Sequence, residues 1–113
     1  MLDKPLLPHR MLHAFQIAKD LLIAVRDAGI SDTHLRDQAM RAAQSACLNA
    51  AESAARVTRA DRARAFTIAR GECVDAAAAL EIAVVCGTAK QADADRVAVI
   101  ANTLVAMLMR LIR

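Results

Sequence analysis

Two histidines four residues apart, His9 and His13, would share one face of a helix and could begin a metal site. No acidic residue beside them supplies a third ligand, so a solvated pair at the start of a helix is the plainer reading. No Glu is followed three residues later by a His, so the Glu-x-x-His pairs that hold two metals inside a four-helix bundle are missing. The three cysteines, Cys47, Cys73 and Cys86, show no CxxC spacing. Each falls within an Ala-rich helical pattern, which reads as a small buried hydrophobe in a reducing cytoplasm. There is no Gly-rich phosphate loop and no Ser/His/Asp arrangement. The expectation is a protein that is not an enzyme, with no cofactor and no metal.

The residues with chemistry left to do are polar and basic. Gln38, Arg41, Ser45, Asn49, Glu52 and Arg56 return to within about 60° of one line at 100° per residue, a polar stripe down a helix. Two readings of the stripe stand. It is a solvated face, or it is a buried hydrogen-bonded network that fixes helix register inside the Ala-rich stretch from Ala42 to Ala55. On the second reading Asn49 and Glu52 are buried and bonded towards the following helix, near Arg70 or Asp75.

The positions of these groups depend on the helices that carry them. The chain has 113 residues, 57% hydrophobic but only 2% aromatic, with three Gly and two Pro. Ala, Leu and Arg favour helices, and both prolines precede the first regular segment, so the composition predicts an all-α domain spanning residues 1–113. Four helices are expected, over about 9–28, 33–56, 59–86 and 90–111. In the first, Met11, Phe15, Ala18, Leu22 and Val25 form the apolar seam, widened by Ala14, Leu21 and Ala28. In the second it is Met40, Ala43, Cys47, Ala50 and Ala54. In the third it is Phe66, Ala69, Cys73, Ala76, Leu80 and Ala83, and in the fourth Val97, Ile100, Leu104, Met107 and Leu111. Gly29 and Gly87 read as stops, Ser31 or Asp32 as a cap, and Thr58 with Asp61 as a weak capping box. Short loops between long helices force an antiparallel up-down-up-down four-helix bundle.

A second apolar line on the fourth helix, Val105, Leu108 and Ile112, suggests burial on two fronts and a subunit interface there. The thin Ala core points the same way, towards association, against the alternative of a tightly packed monomer. The apolar tail from Val97 to Ile112 contains Asn102 and Arg110 and falls short of the roughly 20 residues a membrane span needs. With no signal peptide read at the start, the expected location is cytoplasmic.

The up-down-up-down layout puts the turn between the second and third helices at the same end as both termini. Lys4, Arg10, Arg56, Arg59, Arg62, Arg64, Arg110 and Arg113 collect there against Asp3, Glu52 and Asp61. The far end carries Arg26, Arg36, Lys90 and Arg96 against Asp27, Asp32, Asp37, Asp93 and Asp95. The net charge of +3 therefore hides a dipolar bundle with one basic rim. Such a rim is the electrostatic footprint of RNA or DNA binding, and Arg56, Arg59, Arg62, Arg64, Arg110 and Arg113 are its candidates. With no Trp or Tyr, base stacking is not expected.

The run Gln38-Ala39-Met40-Arg41-Ala42-Ala43-Gln44-Ser45, then Asn49-Ala50-Ala51-Glu52, then Arg56, then Phe66-Thr67-Ile68-Ala69-Arg70-Gly71, resembles the bacterial four-helix-bundle proteins encoded in intervening sequences of 23S ribosomal RNA genes. Their pattern looks like Q-x-x-R-A-A-x-S-x-x-x-N-x-A-E-G, a basic turn, then R-F-L-x-I-A-x-G-S-x-x-E. The chain departs from it at Ser53, where the pattern has Gly, at Glu72, where it has Ser, and at Asp75, where it has Glu. The resemblance implies a homopentameric barrel of bundles with no known enzymatic activity. It is also similar to the accessory variability determinant of diversity-generating retroelements, a relative that binds nucleic acid and a reverse transcriptase. By that analogy the expected partners are further copies of the chain, RNA or DNA, and a protein of the reverse-transcriptase type. The rival expectation is an oligomeric interaction scaffold with no nucleic-acid role.

Overall fold

The computed structural model describes residues 7–113, apart from the side chains of Arg10 and Met11. Lys4 and Asp3 of the expected basic end, and the Met11 side chain of the first seam, lie outside the described residues. A short 3-10 turn, Pro8–Met11, leads into four helices: α1 (His13–Ala28), α2 (Thr33–Ala55), α3 (Arg59–Val85) and α4 (Gln91–Ile112). No strand occurs among the described residues. The first helix starts later than its expected boundary at His9. Pro8 occupies the first position of the 3-10 turn, and Leu12 then takes an extended backbone that separates turn from helix.

Each remaining boundary has a local cause. Gly29 adopts the left-handed conformation, φ 57°, and closes α1. The Asp32 carboxylate accepts from the Leu35 amide at 2.8 Å and opens α2. The Thr58 hydroxyl accepts from the Asp61 amide at 3.1 Å and opens α3. Gly87, at φ 76°, lets the Thr88 amide reach back to the Ala83 carbonyl at 2.8 Å and finish it. The α1–α2 and α3–α4 loops meet at one end, where the Ser31 amide donates to the Thr88 carbonyl at 3.0 Å. The α2–α3 turn lies at the other end, beside the start of α1 and the end of α4. The order around the bundle is α1, α2, α3, α4, each antiparallel to the next.

The core is built on alanine. Ala18, Ala39, Ala43, Ala46, Ala50, Ala69, Ala76 and Ala83 are fully buried, and Leu21, Ile30, Leu80, Val97, Leu104 and Leu108 fill the space between them. Small side chains let the backbones close up, and this shifts two seams. In α1 the buried line is Ala14, Ala18, Leu21, Val25 and Ala28, while Phe15 and Leu22 are only half-buried. In α2, Ala39, Ala42 and Ala46 join the core, and Met40 and Ala54 are pushed to its flank. The α3 seam is buried throughout. In α4, Ala101 and Leu108 replace Ile100 and Met107 as the deepest positions.

Both α3 and α4 carry apolar residues away from the core: on α4 Val99 is exposed, and so is Leu111, which the expected seam had placed inside. Leu108 belongs to the shared core, and Val105 and Ile112 pack half-buried against it. On α3, Ile68, Val74, Ile82 and Val85 are exposed, Val85 by 87%. None of the helices among the described residues is long and apolar enough to cross a membrane.

The cysteines divide by place. Cys47 and Cys73 are buried, while Cys86 is exposed, correcting the expectation of three buried thiols. Cys86 caps α3 next to Gly87, where the chain leaves the core. Burial pushes the Cys47 thiol up from 9.0 to about 11, with Lys19 pulling weakly the other way, and burial alone pushes Cys73 up to about 11. Both therefore stay protonated in the folded chain. At pH 8 a thiol reagent should modify one cysteine rapidly, Cys86, with the other two reacting only on unfolding. Since the folded values lie above the unfolded ones, the two thiols contribute stability that is whole below about pH 9 and is lost as pH rises towards 11. A melt series over that window checks the sign, and Cys47→Ala with Cys73→Ala should reduce the dependence.

Candidate nucleic-acid interface

The basic end is a tight turn between two helix termini. The Arg56 amide donates to the Ser53 carbonyl at 3.2 Å as α2 closes, and Thr58 caps α3 two residues on. The last carbonyls of α2 would otherwise face solvent unpaired. Arg62, one turn into α3, folds back and donates to the Arg56 carbonyl at 3.3 Å and the Val57 carbonyl at 2.8 Å. This arginine is a brace for the turn, and its charge sits over the negative end of α2. Replacing it with Ala should cost about 1 kcal/mol in a denaturant melt, because two carbonyls lose a charged donor at a partly exposed site.

Two other rim arginines carry acidic neighbours. Arg56 pairs with Glu52 one turn back, and Arg64 lies 3.7 Å from Asp61. Both pairs are exposed and worth little to stability. Arg59, Arg110 and Arg113 are exposed and make no ion pair among the described residues. They are the free cations of the six candidates. The far end has the opposite balance, with Asp32 committed to its cap, Arg26 paired to Asp27 at 3.1 Å, and Gln91 bonded to Asp95 at 2.8 Å.

Below the rim runs the groove between α2 and α3, with two depressions. The nearer, about 280 Å³, is lined by Asn49, Glu52, Arg56, Asp61, Arg64 and Ile68. The further, about 390 Å³, is lined by Gln38, Arg41, Glu72, Asp75 and Ile82. The polar stripe thus lies along one groove, with Ser45 between the two depressions. Its bonds run along α2 and not across to α3. The Asn49 amide donates to the Ser45 carbonyl at 2.9 Å and to its hydroxyl at 3.1 Å. Asn49 is half-buried, and Glu52 is exposed and paired with Arg56. The expected buried network between these two residues and α3 does not form in the protomer, because the small side chains along the α2–α3 contact bring the backbones together and push the long polar groups to its edge. Glu52→Ala should accordingly stay within a few tenths of a kcal/mol of wild type by the same melt.

Arg70 stands outside both depressions. At 100° per residue it lies roughly 140° around α3 from Asp75, so the two cannot both face α2. Glu72, noted in the sequence only as a departure, is the residue that joins Asp75 in the lower depression. Ser53, the other departure, is fully buried and donates to the Ala50 carbonyl at 2.6 Å, so the core accepts its hydroxyl without an unpaired atom. His9 packs edge-on against Phe15, centroids 4.9 Å apart, and Lys19 sits 5.1 Å from the same ring. Among the described residues no three His, Cys, Asp or Glu side chains come together in a way that would hold a metal.

No curated protein matches the chain. The family model of the 23S rRNA-intervening sequence proteins matches residues 11–110, which spans α1 to α3 and α4 up to Arg110, and the chain belongs to that family.

Proposed function

We propose that this member of the 23S rRNA-intervening sequence protein family is a non-enzymatic, homo-oligomeric adaptor that binds nucleic acid through its basic rim. The observation that carries this reading is the segregation of charge. Six arginines gather at one end of the described bundle against Glu52 and Asp61, while the opposite end carries five aspartates against four basic residues. Assembly of several copies with their rims together would multiply the local positive potential, and affinity for a polyanion grows with each phosphate neutralised. A ring of five copies, and a protein partner of the reverse-transcriptase type, rest on the family resemblance alone. Phe66 is buried and Phe15 is engaged with His9 and Lys19, so neither offers a stacking platform. Binding should therefore be insensitive to sequence and steep in salt.

The rival is a self-assembling protein scaffold with no nucleic-acid role. It draws support from Glu52 and Asp61, which offset two of the rim arginines. Light scattering at micromolar concentration tests assembly, and a stable monomer mass would refute it. Filter binding with a structured RNA and a duplex DNA separates the adaptor from the scaffold, since the scaffold retains neither.

A further inference from the structure

Gly71 sits in the middle of α3, the longest helix, with an ordinary helical backbone. A Cβ built there meets nothing within 4 Å. Glycine costs a helix interior about 1 kcal/mol relative to alanine, and nothing in the protomer requires its absence of a side chain. The use for it must lie outside the protomer.

The outward face of α3 shows what that use is. Ala60, Arg64, Thr67, Gly71, Val74, Ala78, Glu81 and Val85 recur at spacings of 4,3,4,3,4,3,4, a heptad seam. All but the half-buried Ala78 are exposed, Val74 by 48% and Val85 by 87%. The series is palindromic about a point between Gly71 and Val74. If the helix is laid antiparallel on a copy of itself, Gly71 meets Val74, Thr67 meets Ala78 and Ala60 meets Val85, a small residue against an equal or larger one in each layer. The remaining layer sets Arg64 against Glu81, opposite charges that a parallel pairing would leave unmatched.

We propose that the outward face of α3 is a two-fold contact, in which a second copy of this chain packs antiparallel through its own α3, with the axis between Gly71 and Val74. Such a contact is isologous, each residue of the pair appearing twice. It runs over about 38 Å of helix. A simple ring of like-facing copies contains no two-fold axis, so the contact adds to a ring and does not build one. It engages Arg64 of each rim with Glu81 of the other copy and leaves Arg59, Arg110 and Arg113 of the two copies open at opposite extremities.

Cross-linking tests the geometry directly. In a Cys86→Ser background, Thr67→Cys and Ala78→Cys proteins are oxidised separately and as a mixture. The antiparallel seam predicts a disulfide-linked dimer in the mixture. Neither protein alone should give one, because like positions lie about 16 Å apart along the helices, beyond disulfide reach. Sedimentation of Gly71→Gln, which the open space around Gly71 allows to fold normally, should show loss of the paired species. No mixed disulfide, or equal self-linking by either variant, overturns the proposal, as does a Gly71→Gln protein that sediments unchanged. RNA and DNA retention measured on the same Gly71→Gln protein should remain at wild type, so failure of the seam and failure of the adaptor reading are told apart.

Discussion

Replacing Leu80 with Ala is expected to destabilise the protein by about 3–5 kcal/mol, enough to consume much of a stability of roughly 5–15 kcal/mol. Leu80 is fully buried near the C-terminal end of α3, in a core whose other fully buried side chains are mostly alanines. The cost of such a change is the lost transfer energy plus the cavity left behind, and the cavity shrinks only if neighbours can move in. Alanine walls cannot do so. Their side chains end at Cβ, so filling the hole would require whole helices to shift. The expected loss therefore lies in the upper half of the range for Leu→Ala. Val99→Ala, at a site 67% exposed on α4, should change stability by about 0.5 kcal/mol or less. Denaturant melts of both, at one fixed protein concentration because association adds to apparent stability, give the comparison. A Leu80→Ala loss no larger than that of Val99→Ala would mean that the alanine core repacks freely.

The same alanines decide how much of the fold could be read in advance. Helix number, order and most ends follow from residues with one physical meaning: Gly29 and Gly87 at left-handed stops, Asp32 and Thr58 as caps. The rotation of α1 about its axis does not follow. Ala14 with Leu21 and Phe15 with Leu22 are two apolar lines one position apart, and hydrophobicity favours the larger residues. Packing favours the smaller line, because alanine permits closer approach. The inward reading of Asn49 and Glu52 had the same origin, since a polar stripe beside an Ala-rich seam has the same spacing whether it points into the bundle or along a groove.

The candidate rim was legible as a collection of arginines and not as a set of roles. That Arg62 braces the α2–α3 turn depends on where the Arg56 and Val57 carbonyls point, and no spacing rule carries that information. Glu52 and Asp61 are one helical turn from Arg56 and Arg64, so those pairs were open to an (i,i+4) and (i,i+3) reading. The outward seam of α3 was hidden for a different reason. Half of its members are Ala, Gly and Thr, which register as core or as nothing until the burial of the neighbouring face is known.

The division of roles identifies the variant that tests nucleic-acid binding. Neutralising Arg62 would disturb the turn, and Arg56 and Arg64 are already offset by carboxylates. Arg59, Arg110 and Arg113 are exposed and unpaired among the described residues, so their loss changes charge without removing a structural bond. Each phosphate contact contributes roughly 0.7–0.9 to the slope of log affinity against log salt. Replacing all three arginines with Ala should flatten that slope by about 2–3 if each contacts one phosphate. At low salt the affinity should fall by orders of magnitude. Lys90→Ala with Arg96→Ala, at the opposite end, should leave both slope and affinity unchanged. The measurement is a polarisation titration of wild type, rim variant and far-end variant against a structured RNA and a duplex DNA over a salt series. The adaptor reading predicts tight, salt-steep binding by wild type and the far-end variant and a flattened slope for the rim variant. Failure of wild type to bind either nucleic acid at low salt, or a rim variant that keeps the full slope, would contradict it.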